Sequence, residues 1–167
     1  MILNLVDKTD LILHRAAEPF DFSDPEIDPD EMVKNLTDTM IHFRGIGLAA
    51  PQVGLPYRCF VVGNPDENES IIPVFNPRIV DMSMDQIGYE EGCLSFPNLY
   101  LKIKRPENIR ARFERPDGTT WTFKFEGVTA RIFQHELDHL DGITFTKKVS
   151  KLKLDMARRK MKKYAHR

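Results

Sequence analysis

RIFQHELDHLDG, residues 131–142, contains the pattern H-E-x-x-H. Residues four apart share one face of an α-helix, so His135 and His139 can bind the same metal ion. Glu136 takes the position that handles the proton of the attacking water in H-E-x-x-H hydrolases. The positions around them are apolar: Ile132, Phe133, Leu137 and Leu140. Because two histidines and a glutamate on a buried helix need a reason, a metal site is favoured over a solvated surface helix.

Two histidines leave such a site short of a third protein ligand. A metzincin peptidase places a histidine six residues after the second one, but this chain has Phe145 there. A thermolysin-like peptidase supplies a downstream glutamate, and no glutamate follows Glu136 in this sequence. Asp155 is a weak substitute, because it lies among the bases of the C-terminal segment. The third ligand is therefore expected upstream.

Upstream, the best candidate is a cysteine. His14 and His42 are interpreted as solvated or structural histidines, and Cys59, in the apolar run YRCFVVG, as a buried hydrophobic residue. Cys93 instead lies in YEEGCLSFPN, a stretch whose glycine and proline predict a loop. A thiolate binds zinc or iron(II) strongly, and a Cys-His-His set leaves a fourth coordination position open.

GIGLAAPQVG, residues 45–54, is a second glycine-containing stretch. No Lys-Ser/Thr pair follows it and no strand–loop–helix unit surrounds it, which argues against a nucleotide-binding loop. One interpretation is an apolar turn after the first helix. The other is functional, because Gln52 is an amide in an otherwise apolar loop and could bind an oxyanion beside a metal. The stretch alone leaves both interpretations open.

Helical signals predict three helices. Asp28, with Glu31 three residues later and Pro29 between them, begins a helix at about 29–43, with Gly45 as its stop. The H-E-x-x-H helix is expected at about 127–140, capped by Gly142. A basic terminal helix is expected at about 150–163.

Between Arg58 and Phe125 the patterns are mostly those of strands. Short β-branched or aromatic runs are separated by Pro, Gly, Asn and Asp: RCFVVG, IPVFN, RIVDM, LYLKI, NIRARFER and TTWTFKFE. RPDGTT is typical of a hairpin turn. Strands grouped between helices predict an α+β fold with antiparallel sheets rather than alternating βαβ units.

Length and composition predict one cytoplasmic domain spanning 1–167. The 41% hydrophobic and 29% charged content is ordinary for a soluble globular protein. No apolar run approaches the ~20 residues of a membrane helix, and the N-terminus lacks the pattern of a signal peptide. Two cysteines are too few for a disulfide framework.

Charge is distributed unevenly along the chain. From Lys147 to Arg167 there are ten Lys or Arg and one acid, Asp155, a net charge of +9. The totals of 24 bases and 25 acids leave 14 and 24 for residues 1–146, a net charge of −10. The segment is interpreted either as a polyanion contact or as a solvated helix.

Taken together, these motifs closely resemble those of the peptide deformylases, which remove the formyl group from the first methionine of new polypeptides. Three family motifs stand complete and in order: G-x-G-L-A-A-x-Q-x-G at Gly45–Gly54, E-G-C-L-S at Glu91–Ser95 and Q-H-E-x-D-H-L-x-G at Gln134–Gly142. The resemblance implies an α+β fold in which antiparallel sheets surround a central metal-binding helix, with an N-terminal and a C-terminal helix.

The resemblance also implies the metal site. Cys93, His135 and His139 correspond to the family's ligands, and Glu136 to its general base and acid. One divalent ion per chain is expected, iron(II) in cells, with zinc or nickel also able to occupy the site. An open coordination position with a retained Glu136 argues against a non-catalytic RNA-binding protein. The Cys93 thiolate and the missing downstream ligand argue against an H-E-x-x-H endopeptidase.

Further roles follow from the same resemblance. Gln52 and the backbone N–H of Leu94 are expected to hold the oxyanion, and Glu91 with Arg105 to form a buried ion pair that steadies the cysteine loop. The substrate peptide and its methionine are expected at Gly45, Ile46, Gly47, Leu48, Val128 and Ile132. Arg131 stands where many bacterial members carry an aliphatic residue near the methionine pocket. The expected partners are N-formyl-methionyl nascent peptides and, through the basic segment, ribosomes, with no membrane and no sequence-specific nucleic acid.

Overall fold

The structure, a computed structural model, describes residues 1–67 and 70–165. In these ranges the α-helices are α1 (Pro29–His42), α2 (Gly127–Leu140) and α3 (Lys151–Ala165). The strands are β1 (Gly47–Ala49), β2 (Cys59–Val62), β3 (Ile72–Met82), β4 (Gln86–Cys93), β5 (Phe96–Pro106), β6 (Asn108–Glu114) and β7 (Thr120–Glu126). Short 3-10 helices span Leu11–His14, Ala50–Val53, Pro65–Glu67 and Phe145–Lys148.

The strands form two antiparallel sheets. One sheet has five strands in the order β1-β2-β3-β6-β7, and the other is the two-stranded hairpin β4–β5. The helix α2 contacts four strands of the larger sheet and also β5 of the hairpin. The predicted α+β fold, with antiparallel sheets around the central helix and a helix at each end, is confirmed.

Three apolar clusters hold these layers together. The first joins α2 to the large sheet through Phe133, whose ring contacts Phe60, Phe113 and Phe125. The second packs α1 against β1, β2 and β3, and it includes Leu36, Met40, Leu48 and Phe75. The third packs α3 and Phe145 against β5. The helix α2 therefore lies at the centre of the molecule, where its polar face is buried as well.

Helix termini follow the local sequence closely. The Asp28 side chain accepts from the N–H of Glu31, as predicted, and Pro29 is the first residue of α1. At the end of α1 the left-handed residue is Arg44 (φ 57°) rather than Gly45, whose N–H donates to Met40. Gly142 does take the left-handed conformation (φ 72°) after α2, as expected of a helix-ending glycine.

Two runs that were predicted as separate strands form one strand in the structure. The runs IPVFN and RIVDM were predicted as separate strands but form the single strand β3, with an irregularity between Phe75 and Arg78. There Asn76 is left-handed (φ 48°) and its side chain bonds both the N–H and the carbonyl of Phe20. The predicted hairpin turn at RPDGTT is confirmed, because β6 and β7 pair on either side of it.

The stretch that carries Cys93 is also more ordered than predicted. It was expected to be a loop, but Gln86–Cys93 and Phe96–Pro106 pair as a β-hairpin with Cys93 opposite Phe96. Only Leu94 and Ser95 remain as the turn between the two strands. Cys93 therefore lies at the tip of a hairpin that packs against α2.

The C-terminal helix is confirmed, with α3 at Lys151–Ala165. Leu154, Ala157 and Met161 pack against the hairpin cluster, whereas Leu152 and Met156 are exposed. The last two residues, 166 and 167, lie outside the described residues. Among the residues described, no helix is both long and apolar enough to cross a membrane.

Candidate active site

Three potential metal ligands converge between α2 and the hairpin tip. The ligand atoms of Cys93, His135 and His139 all lie within 4.8 Å of one another. Cys93 Sγ is 3.3 Å from His139 Nε2. The two histidines are one helical turn apart on α2, and both are buried. One sulfur and two imidazole nitrogens at this spacing suit zinc or iron(II).

Ionisation in the site also fits a cation. Burial lowers the pKa of His135, but hydrogen bonds with Cys93 and Glu91 outweigh it and raise the pKa to about 10. Burial lowers the pKa of His139 well below its usual value, and the nearby charges of His135 and Arg105 lower it further. The lowered pKa of His139 favours the neutral imidazole, which is the form that binds a metal ion.

Glu136 lies beside this group and is also buried. Its Oε2 has no hydrogen-bond partner among the described residues. Burial raises the pKa of Glu136 to about 7, with the charge of His135 acting in the opposite direction. A carboxyl group that titrates near neutrality can both accept and return a proton. An unpartnered carboxylate oxygen next to three converging donor atoms is a further sign that a cation and its water fit here.

Glu91 contacts His135 and two arginine side chains. Its Oε1 is 2.9 Å from His135 Nδ1 and accepts from a terminal nitrogen of Arg105 at 3.0 Å. Its Oε2 accepts from Arg105 Nε and from Arg131, each at 2.6 Å. Burial would raise the pKa of Glu91, but the hydrogen bonds from His135 and Arg105 lower it to about 2. The bond to Nδ1 orients the His135 ring and leaves Nε2 for a metal.

The expected Glu91–Arg105 pair is present and belongs to a larger network. Arg105 also donates to Asp138 Oδ2 at 2.9 Å, and Lys148 lies 3.4 Å from the other oxygen of Asp138. Arg131 is the second cation on Glu91. The network therefore connects the hairpin to α2 on both sides of His135.

Gln52 approaches the cysteine from the glycine loop. Its Nε2 lies 3.6 Å from Cys93 Sγ and donates to Ser95 Oγ at 3.0 Å, while its Oε1 accepts from the N–H of Ala49. Gln52 is almost fully buried, at 1% exposure. The amide N–H₂ therefore points towards Cys93, one of the three potential metal ligands. Leu94, in the hairpin turn, follows Cys93 directly. A donor fixed in this way can serve an oxyanion.

A cavity of about 770 Å³ opens directly onto these groups. Gln52, Cys93, His135 and Glu136 are among the residues that line it. The remaining wall is largely apolar and includes Leu5, Phe43, Ile46, Ile87, Leu94, Phe96, Leu99, Val128 and Ile132. A mostly apolar pocket with a few convergent polar groups is the usual form of a small-ligand site.

Most residues expected to bind substrate line this cavity, but one does not. Gly45, Ile46, Gly47, Val128 and Ile132 are in its wall. Leu48 is fully buried in the cluster with α1 instead. Successive side chains on a strand point to opposite faces. Because Gly47 faces Glu136, the next residue of β1 has to face the core.

The remaining histidines of the described chain, the second cysteine and Asp155 lie away from the three converging ligand atoms. His14 is exposed, with Nε2 3.2 Å from the carbonyl oxygen of Lys8, and His42 is exposed at the end of α1. Cys59 is fully buried, and that burial raises the pKa of its thiol. Asp155 is on α3, outside the metal group. None of the four contributes a ligand atom to the group at Cys93.

Comparison with known proteins identifies the family. The sequence profile described as polypeptide deformylase matches residues 2–155. The chain belongs to the polypeptide deformylase family. A peptide deformylase of Bartonella tribocorum is 36% identical over 166 residues, which cover 97% of this chain and 92% of that protein. One of Brucella suis is 38% identical over 163 residues, covering 96% and 92%.

Solved deformylase structures have the same fold. The crystal structure of a peptide deformylase from Legionella pneumophila matches with a TM-score of 0.86 at 34% identity, covering 99% of this chain and 96% of that one. Deformylases are metal-dependent hydrolases that act on formylated nascent peptides. The predicted enzyme class, a hydrolase of N-formyl-methionyl peptides, is therefore confirmed. Membership of this family argues against the endopeptidase and the non-catalytic RNA-binding alternatives.

The sequence analysis did not predict two residues of the ion-pair network around Glu91. Arg131 had been connected only with the shape of the pocket, and Asp138 had not been considered. Both lie on α2 with His135, four residues before it and three residues after it, which is the spacing of one helix face. A charged residue on the ligand-bearing face of a buried helix was the signal that could have identified them.

Proposed function

We propose that this chain removes the formyl group from N-formyl-methionyl peptides at the cavity between α2 and the β4–β5 hairpin. The observation that carries the proposal is the convergence of Cys93, His135 and His139 beside the buried Glu136. All four groups line or adjoin an apolar cavity large enough for a methionine side chain. The reaction is hydrolysis, so its products are formate and a peptide with a free N-terminal methionine.

The metal ligands in this proposal are Cys93, His135 and His139, with one divalent ion per chain. When bound, the ion makes a water more acidic and polarises the formyl carbonyl. Iron(II) is the proposed ion in cells, and zinc or nickel suit the same donor set. Glu91 supports the site by fixing the ring of His135 through Nδ1.

Glu136 moves the proton in this mechanism. Its carboxylate takes a proton from the attacking water and returns it to the amine that leaves. Because burial holds its pKa near 7, the carboxylate form is populated at neutral pH while the acid form stays accessible. The two tasks follow each other within one turnover, so Glu136 ends in the state in which it began.

Gln52 and Leu94 stabilise the charge that develops on the formyl oxygen. The Gln52 side chain is held from both ends, since Oε1 accepts from Ala49 and Nε2 donates to Ser95. The backbone N–H of Leu94, in the turn after Cys93, is the second proposed donor. Donors fixed before the reaction do not have to reorganise when the charge appears.

The methionine and the peptide occupy the outer part of the cavity. Ile132 and Val128 form part of the proposed methionine pocket, and Gly45 to Gly47 form the edge along which the peptide lies. On that edge β1 ends the five-stranded sheet, so within residues 1–67 and 70–165 one side of it has no neighbouring strand. An extended peptide can add to such an edge through backbone hydrogen bonds, which tolerate varied sequences.

The experiment measures formate release from formyl-Met-Ala-Ser under anaerobic conditions. Wild-type protein loaded with iron(II) should release one formate per peptide, and Glu136→Ala should lose several orders of magnitude in rate while it keeps its metal. Gln134→Ala would be a poor control because that residue adjoins His135. Arg112→Ala, an exposed change on β6, should leave the rate unchanged. Near-normal turnover by Glu136→Ala would contradict the assigned role.

We also propose that the basic C-terminal segment holds the enzyme near ribosomes, in the cytoplasm, where formylated chains emerge, and that residues 1–167 form one catalytic domain. Support comes from the +9 charge of residues 147–167 and from α3, whose described basic side chains are largely exposed. Binding should weaken steeply between 50 and 200 mM salt, as expected of ~6–10 phosphate contacts. Salt-insensitive ribosome binding, or equal binding after deletion of α3, would refute this role.

A further inference from the structure

Arg131 is a buried arginine to which the proposed mechanism assigns no task. Its side chain is 9% exposed, and its guanidinium donates three hydrogen bonds. It donates to Glu91 Oε2 at 2.6 Å, to the carbonyl of Ile87 at 2.6 Å and to the carbonyl of Ile103 at 3.0 Å. Arginine suits such a place, because its planar group carries several donors in a fixed arrangement.

All three acceptors belong to the hairpin, whereas Arg131 belongs to α2. Ile87 and Glu91 are on β4, and Ile103 is on β5. The same two elements carry the proposed ligands, since Cys93 ends β4 and His135 lies one turn after Arg131. One side chain therefore connects the element that carries Cys93 to the element that carries His135 and His139.

Arg105, the other cation on Glu91, connects the two elements less directly. It lies on β5, so its pair with Glu91 stays within the hairpin. In the described part of the chain, its direct hydrogen bond to α2 is the one to Asp138, at 2.9 Å. Without Arg131, Glu91 Oε2 would keep one donor, the buried carbonyl of Ile103 would lose one, and so would the partly buried carbonyl of Ile87. Buried acceptors left without a donor destabilise the arrangement that buries them.

We propose that Arg131 is a positioning residue that holds the metal site closed across α2 and the hairpin and thereby slows release of the ion. It acts through Glu91 on His135 and through Ile87 and Ile103 on the strand pair that ends at Cys93. This role rests on the proposed metal site. Removal of an outer hydrogen-bonding partner of a metal ligand typically costs ~10–100-fold in metal affinity.

The test follows zinc release from the full chain. Protein loaded with one equivalent of zinc is mixed with an excess of a chromogenic chelator, and the release rate is read from absorbance. Arg131→Leu keeps an aliphatic stem along the cavity and removes every donor. Its release rate should rise about tenfold or more, within the range expected for an outer partner of a metal ligand.

Arg58→Leu is the matched control. Arg58 also binds α2, by donating to the carbonyl of Leu140 at 3.1 Å and to Asp141 Oδ1 at 2.9 Å, but it donates to no acceptor on the hairpin among the described residues. Its loss should lower the thermal midpoint of the metal-free protein and leave the zinc release rate within twofold of wild type. A similar acceleration in both variants would show a general loss of stability and overturn the proposal.

Arg131→Lys provides a second variant if Arg131→Leu does not fold. One ammonium keeps the charge but cannot span three acceptors, so release should be faster than wild type, and slower than in Arg131→Leu where that variant folds. Cobalt(II) in place of zinc gives a spectroscopic check, because its visible bands report the arrangement of the ligands. Wild-type release rates and cobalt spectra in both Arg131 variants would refute the inference. Failure of wild-type protein to retain zinc would refute the proposed metal site instead.

Discussion

Gly47→Ala tests the contact between the glycine edge and the proposed general base. A Cβ added at Gly47 would lie 2.5 Å from Glu136 Oε1, 2.8 Å from Ile132 Cγ2 and 3.0 Å from Glu136 Cδ. The φ of Gly47 is not in the left-handed region, so alanine causes no backbone strain there. The substitution therefore acts through the space that it fills.

The magnitude follows from the distance that Glu136 has to move. Ordinary van der Waals contact with a Cβ begins at 3.4 Å, so Oε1 has to retreat by about 0.9 Å from its position at 2.5 Å. Misplacing a catalytic group by ~1 Å costs about 100-fold in rate. We therefore expect kcat/KM to fall about 100-fold, which corresponds to ~2.7 kcal/mol of transition-state stabilisation.

The assay is the initial rate of formate release from formyl-Met-Ala-Ser, with zinc content measured on the same samples. Gly88→Ala is the control, because the atoms nearest to its Cβ would be in the flexible side chains of Lys102, at 3.1 Å, and Lys104, at 3.8 Å. It should keep wild-type kinetics. A Gly47→Ala enzyme with full zinc content and kcat/KM within threefold of wild type would refute the assignment of Glu136 to the proton transfer.

Three further substitutions separate the remaining roles. Glu136→Gln should keep its zinc but lose at least about 100-fold in kcat, because the amide cannot accept the proton; unchanged kcat would contradict this. Gln52→Leu should lower kcat about 100-fold or more with little change in zinc content, as for loss of one oxyanion donor, and an effect on KM alone would argue for substrate binding instead. Leu48→Ala should lower the free energy of unfolding by ~2–5 kcal/mol in a urea titration, with kcat/KM nearly unchanged if Leu48 lies only in the core.

Sequence patterns located α2 and the β6–β7 hairpin well, for local reasons. The apolar period of α2 and the left-handed glycine at 142 are short-range features. The turn at RPDGTT likewise depends on a few adjacent residues. Elements that are determined by residues close together in the sequence are the ones that sequence patterns can locate.

The strand β4 was missed because its structure comes from its partner. It reads QIGYEEGC, with glycines and adjacent glutamates, and its burial pattern is mostly exposed. Nothing in that pattern alternates between apolar and polar residues. Pairing with β5 along nearly its whole length supplies the hydrogen bonds that make it a strand.

Within the candidate site, residue types were easier to predict than contacts. The H-E-x-x-H spacing of His135, Glu136 and His139 indicated hydrolytic chemistry, and Cys93 was the best remaining candidate once downstream ligands were excluded. The role of Arg131 depends on two carbonyls and a carboxylate that come from distant parts of the sequence. Such contacts exist only once the hairpin has packed against α2.

The most direct test of the central claim combines metal content with formate release. The protein is prepared without oxygen and metal-free, titrated with iron(II), and assayed at each step on formyl-Met-Ala-Ser. Formate release should rise linearly and stop at one ion per chain, and Cys93→Ala should neither retain the ion nor turn over. Full activity in the metal-free protein, or in Cys93→Ala, would contradict a deformylase site built on Cys93, His135 and His139.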